Sequence, residues 1–441
     1  MTWAFRRRLR SFLRSSLWVI PALSTLAAFL SLPLLRILDR SLGSYFFRFS
    51  ADGARALAGI VAAAMLSFVV FFFSVMLLTV QIASSTLSPR IIARPFRSRI
   101  LKASLGLFVF TLIYSMAVIA RGTEGHIGQL TTAMVLVLTI ISICVFLFVV
   151  EHVSKQLRPA TVMADIAAEG LQVIRAVYPR LFEQQGGEEE SGRTSLEAPS
   201  RAVSNEGEPG FVQALEIGAL VDLAMRAACT IEVVPQVGDF VTTGDSVFRL
   251  YGGGSAIRSD ELLNNIALDR ERTLEQDPAF AFRIIVDIAA KALSAAINDP
   301  TTAVLAIDQI HNLLREVGMR RLDTGMVRDS TGQLRLVYRT PDWEDFVGLA
   351  VTEIRQFGAS STQVVRRMRA MLEDLVSLLP SHRVSVLRQE LDLLKSTINK
   401  WFTVPRDIQR ADFPDSQGLG GHRKTAGTKQ AAEDLRNRLC Q

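Results

Sequence analysis

The sequence predicts a membrane α-helical fold with four transmembrane helices, followed by a cytoplasmic α+β region that contains a small β-module and a helical bundle. Three observations predict it. Four apolar runs lie within residues 1–150, and each is close to the ~20 residues that a helix needs to cross a bilayer. The mean hydropathy is +0.26 although 21% of the residues are charged, so the apolar residues are concentrated in one part of the chain. After residue 151, apolar side chains recur at helical or strand spacing.

The four apolar runs predict transmembrane helices at about 17–35, 57–80, 100–120 and 131–150 within a membrane domain of residues 1–150. None of them has a charged residue at its centre. Each has to be helical, because lipid offers the backbone no hydrogen-bond partners. The first run follows an arginine-rich start, as a signal peptide would, but no small-x-small cleavage site follows it. We therefore expect a retained helix.

The distribution of basic residues predicts that both termini are cytoplasmic and that the protein lies in the inner membrane. Cytoplasmic loops carry an excess of Lys and Arg. The N-terminus and the segment between the second and third helices are strongly basic, whereas the segment between the third and fourth helices has one arginine, Arg121. The segment after the first helix opposes this assignment with Arg36, Arg40, Arg48 and Arg55. The larger basic clusters comprise Arg6, Arg7, Arg8, Arg10, Arg14, Arg90, Arg94, Arg97, Arg99 and Lys102.

The region after the membrane domain divides by composition into five parts. Residues 151–183 predict an amphipathic connecting helix that is interrupted at Pro159 and Pro179. A flexible linker at 184–209 is rich in Gly, Glu and Ser. The remaining parts are a small β-module at 210–255, a mainly helical cytoplasmic domain at 256–403 and a disordered tail at 404–441.

Turn residues and helix caps mark the limits of the predicted elements in this region. Gly238, Asp239 and Gly244 supply turns between short β runs, in a pattern similar to half of a biotinyl or lipoyl barrel. The segment has no lysine, which argues against a swinging-arm carrier. Asp-Pro pairs at Asp277 and Asp299 predict helix starts. We further expect a strand at 333–338 and helices at 342–357, 362–379 and 382–402, the last capped by Ser381.

The residues favour no enzymatic activity, no cofactor and no metal. The three cysteines, Cys144, Cys229 and Cys440, are far apart, and the five histidines lack metal-binding spacing. No phosphate-binding loop of the G-x-x-x-x-G-K-[ST] form occurs. Lys and Arg exceed Asp and Glu by 49 − 43 = 6, but they cluster beside the apolar runs. This placement indicates contact with lipid headgroups and does not indicate a nucleic-acid partner.

A regular polar face on the second helix is the first candidate site. Ser67, Ser74, Gln81 and Ser88 recur every seven residues and therefore share one helix face. Two interpretations stay open: the face packs against another helix through small hydroxyl side chains, or it lines a water-accessible path. Ser84 and Ser85 flank the face, and Arg90 lies at its expected cytoplasmic end.

A polar corner between two helices is the second candidate site. Asn298, Asp299, Thr301 and Thr302 surround a helix start. Asp299 disfavours an anion there, because it already occupies the positive end of the helix. The corner is either a tight helix–turn–helix junction capped by Asp299 or a contact for a ligand or another subunit.

These two segments carry a family resemblance. The stretches VQIASSTLSPR at 80–90 and SAAINDPTTA at 294–303, with the turn at Gly238 and Gly244, resemble signatures of a bacterial predicted-membrane-protein family, the domain-of-unknown-function 2254 family. The resemblance covers most of the chain up to Trp401. It implies that the membrane and soluble parts form one unit, and it carries over no activity. The chain departs from the family pattern at Ala295, where proline is common.

The leading hypothesis is a homo-oligomeric membrane protein that forms or regulates a transmembrane passage. The alternative is a membrane-anchored sensor or scaffold whose cytoplasmic domain binds a ligand or a partner.

Overall fold

The computed structural model describes two compact units, an N-terminal unit that extends to Thr161 and a C-terminal unit that starts at Val162. The described residues are 19–42, 50–82, 98–121, 129–156, 158–182, 198–322 and 325–420, together with Trp3, Arg6 and Ser16.

Four helices build the N-terminal unit: α1 (Val19–Leu42), α2 (Ala51–Ile82), α3 (Arg99–Arg121) and α4 (Gln129–Gln156). Among the described residues, α2, α3 and α4 are long and apolar enough to cross a membrane. In α1 the apolar stretch, Val19–Ser31, is shorter than a span. The second, third and fourth predicted spans are thus found as candidate spans, whereas the first, at about 17–35, is not confirmed.

Helix α3 is the central helix of the N-terminal unit and packs against α1, α2 and α4. Its Phe108 is fully buried and meets the ring of Phe68 edge-on, with 5.8 Å between the ring centroids. Gly106 lets α1 approach closely, because a Cβ at this position would lie 2.6 Å from the side chain of Ile20. The three candidate spans are therefore unequal in burial, with 44% of the apolar window buried in α3 and 22% in each of α2 and α4.

The end of α2, the start of α3 and the end of α4 meet at one end of the N-terminal unit. Met76, Leu101 and Val153, one from each helix, line the same small apolar cavity. Helices α2 and α4 therefore run in one direction and α3 runs in the other.

The C-terminal unit begins within α5 (Pro159–Val177), whose first three residues belong to the N-terminal unit. The predicted break at Pro159 is confirmed, since a new helix begins there; proline fits the first helical turn because it lacks an N–H. Gly170 brings α5 close to a neighbouring helix, since a Cβ there would lie 2.6 Å from the Cβ of Ala281. After Val177 the backbone is held by Arg320, whose guanidinium donates to the carbonyl of Tyr178 at 2.6 Å.

Two small sheets follow in the C-terminal unit. The first has the order β1-β5-β3-β8-β7, in which β3 and β8 are parallel and Ile231 lies opposite Leu336. The second has the order β4-β2-β6. The strands are β1 (Arg201–Ser204), β2 (Gly210–Leu215), β3 (Cys229–Val233), β4 (Phe240–Val241), β5 (Ser246–Gly252), β6 (Ile266–Asp269), β7 (Met326–Arg328) and β8 (Leu334–Tyr338).

The sheets correct two predictions. The β-module does not end at 255, because its sheets also include β6, β7 and β8 from the region predicted as mainly helical, where the sequence predicts only the strand at 333–338 that corresponds to β8. Long-range pairing of this kind has no local sequence signal. The linker predicted at 184–209 is also wrong over its last part, since β1 pairs there with β5. Residues 183–197 lie outside the described part.

The remaining helices pack as a bundle in which α8 contacts α9 and α10, while α11 contacts α9 and α12. The helix predicted at 382–402 begins one residue earlier, at Ser381, and the predicted cap is wrong, because Pro380 is the N-cap residue and makes no side-chain capping bond. The helices are α6 (Ile217–Arg226), α7 (Ser259–Leu263), α8 (Pro278–Ala292), α9 (Pro300–Gly318), α10 (Trp343–Phe357), α11 (Thr362–Leu378), α12 (Ser381–Trp401) and α13 (Pro405–Ala411).

The tail predicted as disordered at 404–441 is wrong over residues 404–420. Helix α13 forms there, and the chain after it packs on α11, with Ala411 and Asp415 buried. The segment has few apolar residues and therefore no hydrophobic periodicity that would predict its structure. Hydrogen bonds to its backbone carbonyls and from its backbone N–H groups hold it in place. Residues 421–441 lie outside the described part.

Candidate functional site

The polar face of α2 lies on the outside of the N-terminal unit. Ser67, Ser74 and Gln81 are exposed, and they point away from the buried side of α2, which includes Met65 and Phe72. Residues seven apart share a face of a helix with 3.6 residues per turn, so the structure brings these three together as the spacing predicts. The other predicted members of this site, Ser84, Ser85, Ser88 and Arg90, lie outside the described residues.

The hydroxyl groups on this face bond to their own helix. Ser67 Oγ donates to the carbonyl of Ala63 at 3.1 Å, and Ser74 Oγ donates to the carbonyl of Val70 at 3.0 Å. For the amide of Gln81 the described part of the chain shows no hydrogen bond. Among the described residues, the two hydroxyl groups of this face therefore do not join α2 to another helix.

A second group of polar side chains in the N-terminal unit is buried, and the sequence analysis missed it. Thr111 on α3 and Ser142 on α4 are fully buried and share a hydrogen bond of 3.2 Å. Ser115, one turn from Thr111, is also fully buried, and its hydroxyl has no partner in the described part of the chain. The spacing of Ser104, Thr111 and Ser115 along α3 could have indicated this seam.

The corner between α8 and α9 is a capped turn. Asp299 accepts from the backbone N–H of Thr302 at 3.1 Å and from its hydroxyl at 2.5 Å. Asn298 has φ +49°, and its N–H donates to the carbonyl of Ser294 at 2.9 Å. Both oxygens of Asp299 are thus used inside the corner, whereas the side chains of Asn298 and Thr301 are exposed. This geometry agrees with the helix–turn–helix interpretation and leaves the two exposed side chains as the candidate contact.

The three predicted turn residues are structural, and Gly238 is the most constrained of them. Asp239 accepts from the N–H of Gln236 at 2.8 Å. Gly238 and Gly244 both have positive φ, of +97° and +93°. A Cβ on Gly238 would lie 2.5 Å from the guanidinium of Arg272 and 2.6 Å from the carboxylate of Asp277, whereas a Cβ on Gly244 would meet nothing within 4 Å.

Arg272 and Asp277 form the charged pair that Gly238 covers. Asp277 is only 2% exposed, caps α8 through the N–H of Phe280 at 3.1 Å, and pairs with Arg272. Burial raises the pKa of the Asp277 carboxyl, and the adjacent guanidinium opposes that rise. The turn at Gly238, the Arg272–Asp277 pair and the N-terminus of α8 are therefore in direct contact with one another.

An open polar groove lies between α6 and α7 and was also missed. Its volume is about 660 Å³, within the range of small-molecule sites. Charged and amide side chains line it, and no sequence motif marks them, because they come from two short helices in different segments and from the turn that follows α7. They are Asp222, Arg226, Glu261, Asn264 and Asn265.

A charged cluster joins α9 to α11. His311 lies 2.9 Å from Asp374 through Nε2 and 3.2 Å from Arg367 through Nδ1, and Arg367 also pairs with Asp308 at 2.6 Å. Burial lowers the pKa of His311, and the charge of Arg367 lowers it further. Among the described residues there is no group of three or more His, Cys, Asp or Glu that could hold a metal ion.

Comparison with known proteins places these features in a family. Residues 14–374 match a family described as "Predicted membrane protein (DUF2254)". The chain belongs to the DUF2254 family. It is 25% identical over 408 residues to the uncharacterized proteins Mb1321c of Mycobacterium bovis and Rv1290c of Mycobacterium tuberculosis, which covers 87% of this chain and 76% of each relative. No solved structure matches the chain.

The DUF2254 match confirms the resemblance and includes both candidate sites. The face of α2 and the corner at Asn298 lie well inside residues 14–374. The match ends within α11, so α12, α13 and the chain that follows them lie beyond it.

Proposed function

We propose that this protein is a non-enzymatic, homo-oligomeric protein of the inner membrane that forms or regulates a transmembrane passage along the polar face of α2. One observation supports this proposal: Ser67, Ser74 and Gln81 lie on the outer face of the N-terminal unit, opposite the side that packs. Polar residues in membrane helices seldom face lipid. A polar face that no described residue of the chain covers is therefore a candidate for contact with a second copy or with water.

The spacing of the exposed residues supports helix association. Ile60, Ala63, Ser67, Val70 and Ser74 are all exposed and follow alternating intervals of three and four residues. The same spacing occurs at the contact between the helices of a left-handed coiled coil. Small side chains at such a contact let backbones approach. The amide of Gln81 would then find a partner on the next chain, or in water, at the end where α2 meets the start of α3.

Disulfide crosslinking tests the assembly. In a Cys144→Ser background, Ser74→Cys should form a disulfide-linked dimer in membranes, because Cα atoms across a symmetric contact come within about 7 Å. Met65→Cys, on the buried side of α2, is the matched control and should stay monomeric. Equal crosslinking of both variants, or none of Ser74→Cys, would contradict the assembly.

Electrical recording tests the passage. The purified protein should show single-channel currents in a planar bilayer, and cells that contain it should survive osmotic downshock better than cells that lack it. Ser74→Leu and Gln81→Leu should lower both, since they line the path with apolar side chains. Phe73→Leu, an exposed change off the polar face, is the control. A silent bilayer together with unchanged survival would refute the passage.

The groove between α6 and α7 favours a second candidate, a membrane-anchored sensor. Two carboxylates and one guanidinium line it, so a cationic or zwitterionic small molecule is the ligand class that matches its charge. Thermal-shift screening of the full-length protein against the common amino acids and polyamines tests this candidate. A hit should be lost in Asp222→Ala and Glu261→Ala. If no compound shifts the unfolding temperature, or if the shift survives both changes, this candidate is wrong.

A further inference from the structure

The segment after α13, residues 412–420, lies across α9 and α11; we call it the strap. Its large apolar side chains point outward, with Phe413 50% and Leu419 81% exposed. A segment that docked by ordinary core packing would bury these side chains. The strap is instead held mainly by polar contacts.

Two side chains of α11 bind backbone carbonyls of the strap. Arg366, which is 2% exposed, donates to the carbonyls of Phe413 at 3.0 Å and Gly420 at 3.1 Å. Gln363 donates to the carbonyl of Gly418 at 2.6 Å. These contacts bind the backbone of a segment made of turns and bends, and they do not involve the side chain of Phe413.

Asp415 and Gly418 define that turn. The Asp415 carboxylate accepts from the N–H groups of Gln417, Gly418 and Gly420 at 3.1, 3.1 and 2.7 Å. Gly418 has φ +66°, and a Cβ on it would lie 2.4 Å from a methyl group of Val304. The strap therefore places an Asp-x-x-Gly turn against α9, with glycine required by the positive φ and by the close approach of the Val304 side chain.

The place of the strap is as informative as its contacts. Val304 lies in the second turn of α9, just after the corner at Asn298 and Asp299. The DUF2254 match contains that corner, α9 and most of α11, but it ends before the strap. The groove between α9 and α11 thus belongs to the matched region, whereas its occupant lies beyond that region.

We propose that the groove between α9 and α11 is a docking site for an Asp-x-x-Gly turn, and that the strap is its exchangeable occupant in cis. A partner peptide with the same turn would compete with the strap for Arg366 and Gln363. When a partner peptide replaces the strap, the strap leaves the surface beside the corner and the partner covers it. This face of the C-terminal unit would then be a contact that a peptide regulates.

A peptide in trans tests the proposal. The protein truncated after Ala411 should bind a fluorescent nonapeptide of residues 412–420 in a saturable way, measured by anisotropy, and full-length protein should bind it at least about tenfold more weakly. The Arg366→Ala change should abolish binding to the truncated protein, as should Gly418→Ala in the peptide. A Gly420→Ala peptide, with φ +78° and open space around its Cβ, is the matched control and should bind. Equal binding to truncated and full-length protein would overturn the proposal.

Hydrogen exchange on the full-length chain gives a second test that needs no truncation. In Gly418→Ala the backbone amides at positions 418 and 420 should exchange at least about tenfold faster than in Gly420→Ala, while protection of α8 stays unchanged. The same increase should follow addition of excess free peptide to wild type. Strap amides that stay equally protected in both variants and with peptide would show a fixed segment and would overturn the proposal.

Discussion

At the scale of single residues, a comparison of two glycines in the same turn region distinguishes the cost of backbone strain from the cost of a side-chain collision. Both Gly238 and Gly244 have φ above +90°, so alanine at either position costs about 1 kcal/mol. Only at Gly238 would the Cβ strike Arg272 and Asp277. We expect Gly238→Ala to lower the free energy of unfolding by about 2–4 kcal/mol and Gly244→Ala by about 1 kcal/mol. Urea denaturation followed by tryptophan fluorescence measures both; equal losses would contradict the collision.

His311 should make stability depend on pH. Its lowered pKa means that the neutral ring is favoured in the folded state, where Nδ1 accepts from Arg367. The sign follows: the stabilisation is present above the unfolded pKa of about 6.5 and is lost as pH falls through the lower folded value. The charged groups facing the ring are Arg367, Arg315 and Asp374.

The measurement for His311 compares two pH profiles. When the pH is lowered from about 7.5 to about 5, the unfolding temperature of the wild type should fall further than that of His311→Asn. The amide oxygen of the introduced asparagine can still accept a hydrogen bond from Arg367, but it does not titrate in this range. Parallel profiles would assign the pH dependence to other groups.

At the scale of elements, the two Asp-Pro caps look alike in sequence but differ in their surroundings. Asp299→Ala should cost about 1 kcal/mol, the usual value of an N-cap. Asp277→Ala should cost more, about 3 kcal/mol, since it also leaves Arg272 without its buried partner. Denaturant unfolding of both variants tests the order, and the reverse order would refute it.

What the sequence could predict follows from the range of the interactions. Helix starts at Asp277, Asp299 and Asp342 depend on residues within one turn, and all three are confirmed with Asp as the cap. The parallel pairing of β3 with β8 joins residues about a hundred positions apart, and its strands carry no signal of their partner. The strap escaped prediction for the same reason, since Arg366 and its carbonyl partners are separated by 47 and 54 residues.

The candidate sites divide in the same way. The face of Ser67, Ser74 and Gln81 was predictable, because one helix supplies it. Its exposure was not, since burial depends on which side of α2 meets α3 and α4. The groove at Asp222 and Glu261 draws on two separate helices, and the Thr111–Ser142 bond draws on two membrane helices. Sequence spacing alone predicts neither that Asp222 lies near Glu261 nor that Thr111 lies near Ser142.

At the scale of the whole molecule, the ends of the membrane helices and the basic clusters together predict the topology. The end of α2, the start of α3 and the end of α4 lie at one end of the N-terminal unit, and the C-terminal unit continues from the last of these. The basic residues 90–102 belong to the same end in sequence, and basic segments stay in the cytoplasm. We therefore expect Cys440 to lie inside the cell and residue 125, between α3 and α4, to lie outside.

A membrane-impermeant maleimide measures this topology. In a Cys144→Ser background, intact spheroplasts should leave Cys440 unlabelled and label it only after permeabilisation, while the buried Cys229 stays unlabelled in both. Gly125→Cys is the matched positive control and should be labelled in intact spheroplasts. If α1 crosses as well, the number of spans is four and both ends of the chain lie on one side, so Thr2→Cys should behave as Cys440 does. Labelling of Thr2→Cys in intact spheroplasts, with Cys440 still protected, would show that only α2, α3 and α4 cross the membrane.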